Sequence, residues 1–477
     1  MTSAVAAHKS FEQHLDDTPF TKTQRKVWIL SAMGVLLDGF DFFIIGVALP
    51  LIAYRFHLTP TIKGLVAVSA VAGAFFGALF FGQIADRVGR KGMFVVDIVL
   101  FVVFSAASAA AWNAWSLIVF RFFLGIGIGA DYPIGVSYIA ECVPTRLRGR
   151  LIVGAFAFQA LGSLLGVLVG LLILKVDPSV ESWRVMLAFG VLPAIAVVLM
   201  REGLPESVRW HLARGNYERA SHAASMLLES PITLTAQNSP RVERNLSFTS
   251  LFKKRYIRRT IFASVPWFLQ DISTYGIGIF TPTILAALAI GGGTTFIAKD
   301  MGATEGSAAV DLLLLVGFML AIILVRYVSR ITLQIVGFLG MALGLLLAGA
   351  SSLFPAGSES QMGLIIGGFM IFNCLMNMGP NATTYLLSGE TFPTSIRATG
   401  AGFAASMAKL GAVLGTFFFP VLQPLLTTSG LLICLAAASA LAAAVTYGFR
   451  VDTRASLDAQ PAEPVVAGER FLEAAAG

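Results

Sequence analysis

Apolar stretches of membrane-crossing length recur along this chain and leave it few folds to choose from. They fall at about 27–53, 63–84, 93–113, 115–140, 151–175 and 183–200. After a polar stretch they resume at about 259–289, 305–327, 331–354, 362–388, 398–424 and 428–448. A hydrocarbon core about 30 Å thick needs roughly 20 apolar residues per helix. Within it every backbone N–H and C=O must be bonded inside the chain, which admits only helices or closed barrels. Runs of this length predict helices: an all-α membrane protein with twelve transmembrane helices in two six-helix, pseudo-symmetric halves. The divisions expected are an N-terminal segment 1–26, a first bundle 27–200, a central loop 201–258, a second bundle 259–448 and a tail 449–477. Only 13 % of the 477 residues are charged, about half the share of a soluble domain.

The basic residues decide orientation. Lys22, Arg25 and Lys26 precede the first span; Arg87, Arg90 and Lys91 join the second and third; Arg146, Arg148 and Arg150 join the fourth and fifth. Lys253, Lys254, Arg255, Arg258 and Arg259 precede the seventh. The alternate loops hold little more than Arg55, Lys63, Lys175 and Lys299. The positive-inside rule then puts both termini and the central loop in the cytoplasm. It also accounts for the net charge of +7 without a nucleic-acid partner. The first 25 or so residues lack a signal-peptide pattern, so the first span is expected to stay as an anchor. The tail has a disordered composition. Cys142, Cys374 and Cys434 lack metal-ligand spacing and read as small buried residues.

Two strings suggest an internal duplication. Glu141-Cys-Val-Pro-Thr-Arg-Leu-Arg148 ends the fourth span and Glu390-Thr-Phe-Pro-Thr-Ser-Ile-Arg397 ends the tenth. Glu, Pro, Thr and Arg repeat at an offset of 249 residues (390 minus 141), which also carries Tyr132 onto Asn381. Two like halves with polar residues at matching positions fit a carrier whose site lies midway between them.

Polar residues inside the spans are costly and so mark function. Trp267, Asp271 and Tyr275 are spaced i, i+4, i+8, one stripe of a helix. Asp38 and Asp41 share a face of the first span. Arg121, able to neutralise either of them, and Asp131-Tyr132 lie on the fourth. Gln159 is on the fifth, Gln270 on the seventh, Asn377 and Asn381 on the tenth and Lys409 on the eleventh. Asp311, near one end of the eighth run, reads as an interface residue. No histidine falls in a span, so proton movement through the core would rest on carboxylates. No nucleophile–base pair or metal cluster is legible, which disfavours an enzyme, and neither a cofactor nor a metal is expected. A 29-residue tail offers little to a sensor built on a carrier fold.

The string Gly82-Gln-Ile-Ala-Asp86-Arg87-Val-Gly89-Arg90-Lys91 resembles the loop motif of the major facilitator superfamily, and Pro205-Glu206-Ser207-Val208-Arg209-Trp210 resembles the element after span six of its sugar-porter-like members. The resemblance covers nearly the whole chain. It implies cytoplasmic charge networks that gate: Asp86 with Arg90, Glu141 with Arg148, and Glu390 with Arg397 in the second half. The second-half counterpart of the loop motif, Arg326-Tyr-Val-Ser-Arg330, lacks its acid and glycine and is expected to be weaker.

Asp38-Gly-Phe-Asp41, Gly129-Ala-Asp131-Tyr132-Pro133, Trp267 through Tyr275, and Gly379-Pro380-Asn381 together resemble the phosphate:proton symporter family. That likeness implies a phosphate cage of Tyr132, Gln159, Trp267, Asp271, Tyr275 and Asn381, with the family's lysine at Lys409. It implies proton-linked acids at Asp38, Asp41 and Asp131, and Asp271 serves as a further proton-responsive group. Gly39-Phe40 stands where members commonly have Ala-Tyr, which removes one phenol. The expectation is a monomeric carrier in a bacterial inner membrane that takes up inorganic phosphate, or a similar small anion, with protons. The alternative is a proton-coupled carrier of a small organic anion, an aromatic or dicarboxylic acid.

Overall fold

A computed structural model describes residues 9–236, 248–287, 296–325, 327–355, 357–392 and 397–451. The elements up to residue 236 are helices α1 (Phe11–Asp17), α2 (Lys22–Phe56), α3 (Pro60–Val88), α4 (Arg90–Ala109), α5 (Ala114–Cys142), α6 (Thr145–Val176), α7 (Ser182–Phe189), α8 (Val191–Arg201), α9 (Val208–Ala213) and α10 (Tyr217–Leu228). Those that follow are α11 (Lys254–Gly278), α12 (Thr281–Ala287), α13 (Phe296–Leu324), α14 (Arg330–Ala350), α15 (Glu359–Met378), α16 (Pro380–Glu390) and α17 (Arg397–Phe449). The fold is all-α and multi-pass. Ten helical segments among the described residues are long and apolar enough to cross a membrane.

The expected count of twelve departs at two places. α11 is diluted by its basic first turns and by the polar stripe from Trp267 to Tyr275. α17 covers both of the last two apolar stretches as two helices joined at a kink, where Thr427, three residues after Pro424, has φ 59° and ψ 165°.

The sequence writes its helix boundaries clearly. Thr21 and Gln24 form a capping box at the start of α2, as Asn113 and Ser116 do for α5. Thr59 caps α3, with Pro60 at its first position, where a missing N–H loses nothing. Close packing follows the glycines. A Cβ on Gly125 or Gly129 of α5 would strike the Ala70 or Ala74 carbonyl of α3. One on Gly411 or Gly415 of α17 would strike the Phe268 or Ile272 carbonyl of α11. Small residues let backbones approach in a membrane, where lipid removes the hydrophobic drive between helices.

Two polar regions are more structured than their composition suggests. The stretch from 201 onward forms α9 and α10. The N-terminal segment forms α1, whose Phe11 and Leu15 are fully buried in an apolar cluster with Leu204, Leu212 and Leu227. Asp16 at the end of α1 accepts the Thr145 N–H at 2.6 Å, and Glu12 pairs with Arg209 at 3.3 Å. Residues 237–247 and the tail from 452 lie outside the described residues. Of the cysteines, Cys142 is buried, but Cys434 lies exposed on α17, against the expectation for it.

Candidate functional site

The Gly-Pro-Asn string breaks one helix into two. Gly379 adopts φ −109°, ψ −99° between α15 and α16, and Pro380 opens α16. The break turns Asn381 and Tyr385, four residues apart, toward one cavity. Pro266 sits inside α11 just before Trp267 and denies the preceding turn one hydrogen bond.

These elements surround a cavity of about 50 Å³. All seven residues of the expected cage line it: Tyr132 of α5, Gln159 of α6, Trp267, Asp271 and Tyr275 of α11, Asn381 of α16 and Lys409 of α17. Its volume is far below the roughly 300–1,000 Å³ of pockets for drug-sized ligands. The Gln159 amide donates to the Tyr132 hydroxyl at 2.8 Å and to that of Tyr275 at 3.4 Å. Lys409 Nζ donates to the Tyr275 hydroxyl at 3.0 Å and stands 4.6 Å from the Tyr132 ring centre. Among the described residues Asp271 is the one acid on the cavity wall, and Lys409 is the charge acting on it. Donors thus come from α5, α6, α11, α16 and α17, with the acid on α11 and the cation on α17.

Support for the cage comes from Gln270 and Asn377, named above among the polar residues of the spans, and from Thr384 and Tyr385, which the sequence did not single out. Gln270 donates to Asn381 Oδ1 at 3.0 Å and accepts from the Thr384 hydroxyl at 3.0 Å. Asn381 donates onward to Asn377 Oδ1 at 2.7 Å. Tyr385 closes the wall on one side, against Phe156 (ring centres 4.6 Å apart) and Trp267 (6.0 Å). Its spacing of four from Asn381 was the available signal.

The acids Asp38, Asp41 and Asp131 are not among the residues that line the cavity. Arg121 pairs with Asp41 at 3.0 Å, which settles the choice left open between Asp38 and Asp41. Asp38 is buried with Oδ2 unbonded. Asp131 pairs with Arg201, which also binds Asp97, each at 2.8 Å. Arg201 was expected to open the polar loop; it is fully buried at the end of α8, its guanidinium 3.4 Å from the Phe94 ring centre. Asp97, an acid inside the third apolar run, was the missed sign. Asp311 is likewise corrected: it is buried, not interfacial, and accepts from Asn373 at 3.1 Å.

Of the expected gating residues, the side chains of Asp86, Glu390 and Arg397 lie outside the described residues. Glu141 bonds the Ser207 hydroxyl and Arg90 (3.4 Å). It is those residues, and not Arg148 as expected, that hold it. Glu206 accepts the backbone N–H groups of Arg90 (2.8 Å) and Lys91 (3.1 Å), capping α4 where the helix dipole favours an anion. Contacts also join α2 and α6 to α13 at the opposite end. There Lys175 of α6 pairs with Glu305 of α13 at 2.8 Å, and Tyr54 of α2 stacks on Phe296 at 4.9 Å.

Comparison with known proteins fixes the family. The model of the family described as "Sugar (and other) transporter" matches residues 27–457. The chain belongs to that family. It is a multi-pass transporter of the major facilitator superfamily, and its work is transport, not catalysis. The transporter is 30 % identical to an inner membrane metabolite transport protein of Escherichia coli, over 85 % of this chain and 86 % of that one. It is also 30 % identical to inorganic phosphate transporter 1-6 of Oryza sativa, over 82 % and 81 %. Its fold resembles the xylose transporter of E. coli in a partially occluded inward-open conformation, with a TM-score of 0.73 at 20 % identity, over 90 % of this chain and 98 % of that one.

Proposed function

We propose that the transporter is a symporter that carries inorganic phosphate into the cell together with protons, by alternating access. The observation that carries this reading is the cavity wall. Tyr132, Gln159, Trp267, Tyr275, Asn381 and Lys409 supply donors, and one carboxylate, Asp271, can accept. Near neutral pH phosphate offers acceptor oxygens and at least one O–H donor, so it needs both kinds of partner. Arginine, the bidentate phosphate ligand of choice, is missing from the cavity wall among the described residues, which suits a carrier that must release its cargo. Relatives named as inorganic phosphate transporters support the same substrate.

In this reading Asp271 and the first-half acids Asp38, Asp41 and Asp131 carry the proton coupling. The chain crosses an inner membrane twelve times as a monomer, with bundles 27–200 and 259–448 and with termini, central loop and tail cytoplasmic. α11 with α12 makes one of those crossings, and α17 makes two, on either side of Thr427. The Lys175–Glu305 end then faces outward and is closed, and the cavity opens inward past Tyr385. The charged groups at Asp86, Arg90, Glu141, Arg148, Glu390 and Arg397 close the cytoplasmic side in the opposite state. A second reading, a small organic anion, draws on the aromatic walls Phe43, Phe156 and Tyr385 and on the relative named as a metabolite transport protein. Uptake of labelled phosphate into proteoliposomes under an inward proton gradient decides between them. Accumulation that collapses with a protonophore supports phosphate symport; no phosphate uptake, with uptake of benzoate or succinate instead, overturns it.

A further inference from the structure

Helix α13 carries a polar stripe that the substrate cavity does not use. Asp300, Thr304, Ser307 and Asp311 are spaced i, i+4, i+7, i+11 and so lie along one face. All four are buried, Asp300 to 4 % exposure and Asp311 to 1 %. One turn further along, Leu314 lines the cavity. Packing alone does not call for four polar side chains in line inside a membrane helix, where each such group is costly unless it is bonded or faces a polar path.

The two ends of the stripe are differently held. Asp311 accepts from Ser307 Oγ at 3.3 Å and from Asn373 Nδ2 of α15 at 3.1 Å. Asn377 donates to the Asn373 carbonyl at 3.0 Å and itself lines the cavity. The inner carboxyl is therefore tied to the cavity wall. Thr304 Oγ1 donates to the Asp300 carbonyl at 2.8 Å. Asp300 Oδ2, by contrast, is buried without a hydrogen-bond partner. The charges nearby are Lys63 of α3, which acts on Asp300, and Lys175 of α6, which is engaged with Glu305. Among the described residues, the amide of Asn373 and the hydroxyl of Ser307 hold Asp311.

We propose that this stripe is a proton track from the outer end of the transporter to the cavity, with Asp300 as its entry and Asp311 as its inner relay. The proposal rests on the proton-coupled reading and on its orientation. Members three or four residues apart are about 4.5–6 Å apart along the axis, a gap that one bridging water spans. Carboxyl and hydroxyl oxygens both accept and donate O–H. Each hop breaks one O–H bond and forms another, so the hydroxyls end unchanged and each carboxylate regains its charge. The amides of Asn373 and Asn377 carry no proton; they hold Asp311 beside the cavity, where the last hop is to water. The track runs in the second half, separate from Asp38, Asp41 and Asp131.

The test uses full-length protein in proteoliposomes with an entrapped pH dye and labelled phosphate. Asp311→Asn keeps the shape and the bond to Asn373 but cannot take up a proton. It is expected to slow proton-driven phosphate uptake about tenfold or more and to flatten its dependence on external pH. Phosphate affinity by calorimetry should stay within about twofold, since Asp311 does not line the cavity. Ser307→Ala, which leaves both acids, should slow uptake in the same way, and Asp311→Glu should restore part of the rate. Normal rates and pH profiles in Asp311→Asn and Ser307→Ala overturn the track while leaving symport intact. A wild-type protein that takes up phosphate without moving protons overturns the coupled reading and the track with it.

Discussion

Arg201 Nη2 lies 2.8 Å from Asp131 Oδ1, and Nη1 of the same guanidinium lies 2.8 Å from Asp97 Oδ1. One buried cation thus holds acids from α4 and α5 against the end of α8. Removing one partner from such a group leaves buried charge uncompensated, at a cost of about 3–5 kcal/mol. Arg201→Met is therefore predicted to lower the Tm of the purified protein sharply. Adding Asp97→Asn and Asp131→Asn to that variant should recover much of the loss, because no charge then remains unpaired. An Arg201→Met protein as heat-stable as the unmodified one would contradict the triad's structural role.

Asp271→Asn is predicted to weaken phosphate binding while the protein stays folded. The swap keeps size but removes the negative acceptor opposite Lys409. A lost charged hydrogen bond of a few kcal/mol corresponds to a fall in affinity of roughly tenfold to a thousandfold. Calorimetry with phosphate reads it directly; unchanged affinity would remove Asp271 from the cage.

Sequence and structure diverge where pairing is long-range or where a helix begins early. The span-seven stripe was legible because helical spacing alone puts Trp267, Asp271 and Tyr275 on one face. The 249-residue repeat likewise relates Tyr132 to Asn381 in the sequence itself. Arg201 was not legible: it stands at the edge of an apolar run, and its partners are 70 and 104 residues earlier. Asp311 looked interfacial because the apolar run starts near 305. The helix starts at Phe296, so Asp311 sits about four turns inside it. α1 was missed because two buried residues, Phe11 and Leu15, anchor an otherwise polar segment.

Gly129→Val is predicted to disrupt the contact between α3 and α5. A side chain there would collide with the Ala74 carbonyl, and helix carbonyls cannot retreat without losing their own bonds. Overpacking of this kind typically costs about 1–3 kcal/mol. Gly149→Val, at a glycine with nothing within 4 Å of an added Cβ, is the control. Expression level and Tm should fall for Gly129→Val and change little for Gly149→Val; equal effects would mean the glycine spacing is not what brings these helices together.

The ion pair between Lys175 and Glu305 joins α6 to α13 at the end read as outer. Both side chains are about half exposed, so the pair contributes only about 0.2–1 kcal/mol. That is small beside the stability of the fold but not beside a bistable equilibrium, where each 1.4 kcal/mol is a factor of ten in population. Lys175→Glu sets two carboxylates against each other and should shift the population toward the outward-open form by roughly two- to fivefold. Spin labels on α6 and α13 near these residues should report a longer outer distance. The reversed pair, Lys175→Glu with Glu305→Lys, should return the distances toward those of the unmodified protein, since the attraction is restored with its sign exchanged. If the double variant opens as far as the single one, the shift comes from lost packing beside Tyr54 and Phe296, and the charge pair is not the latch.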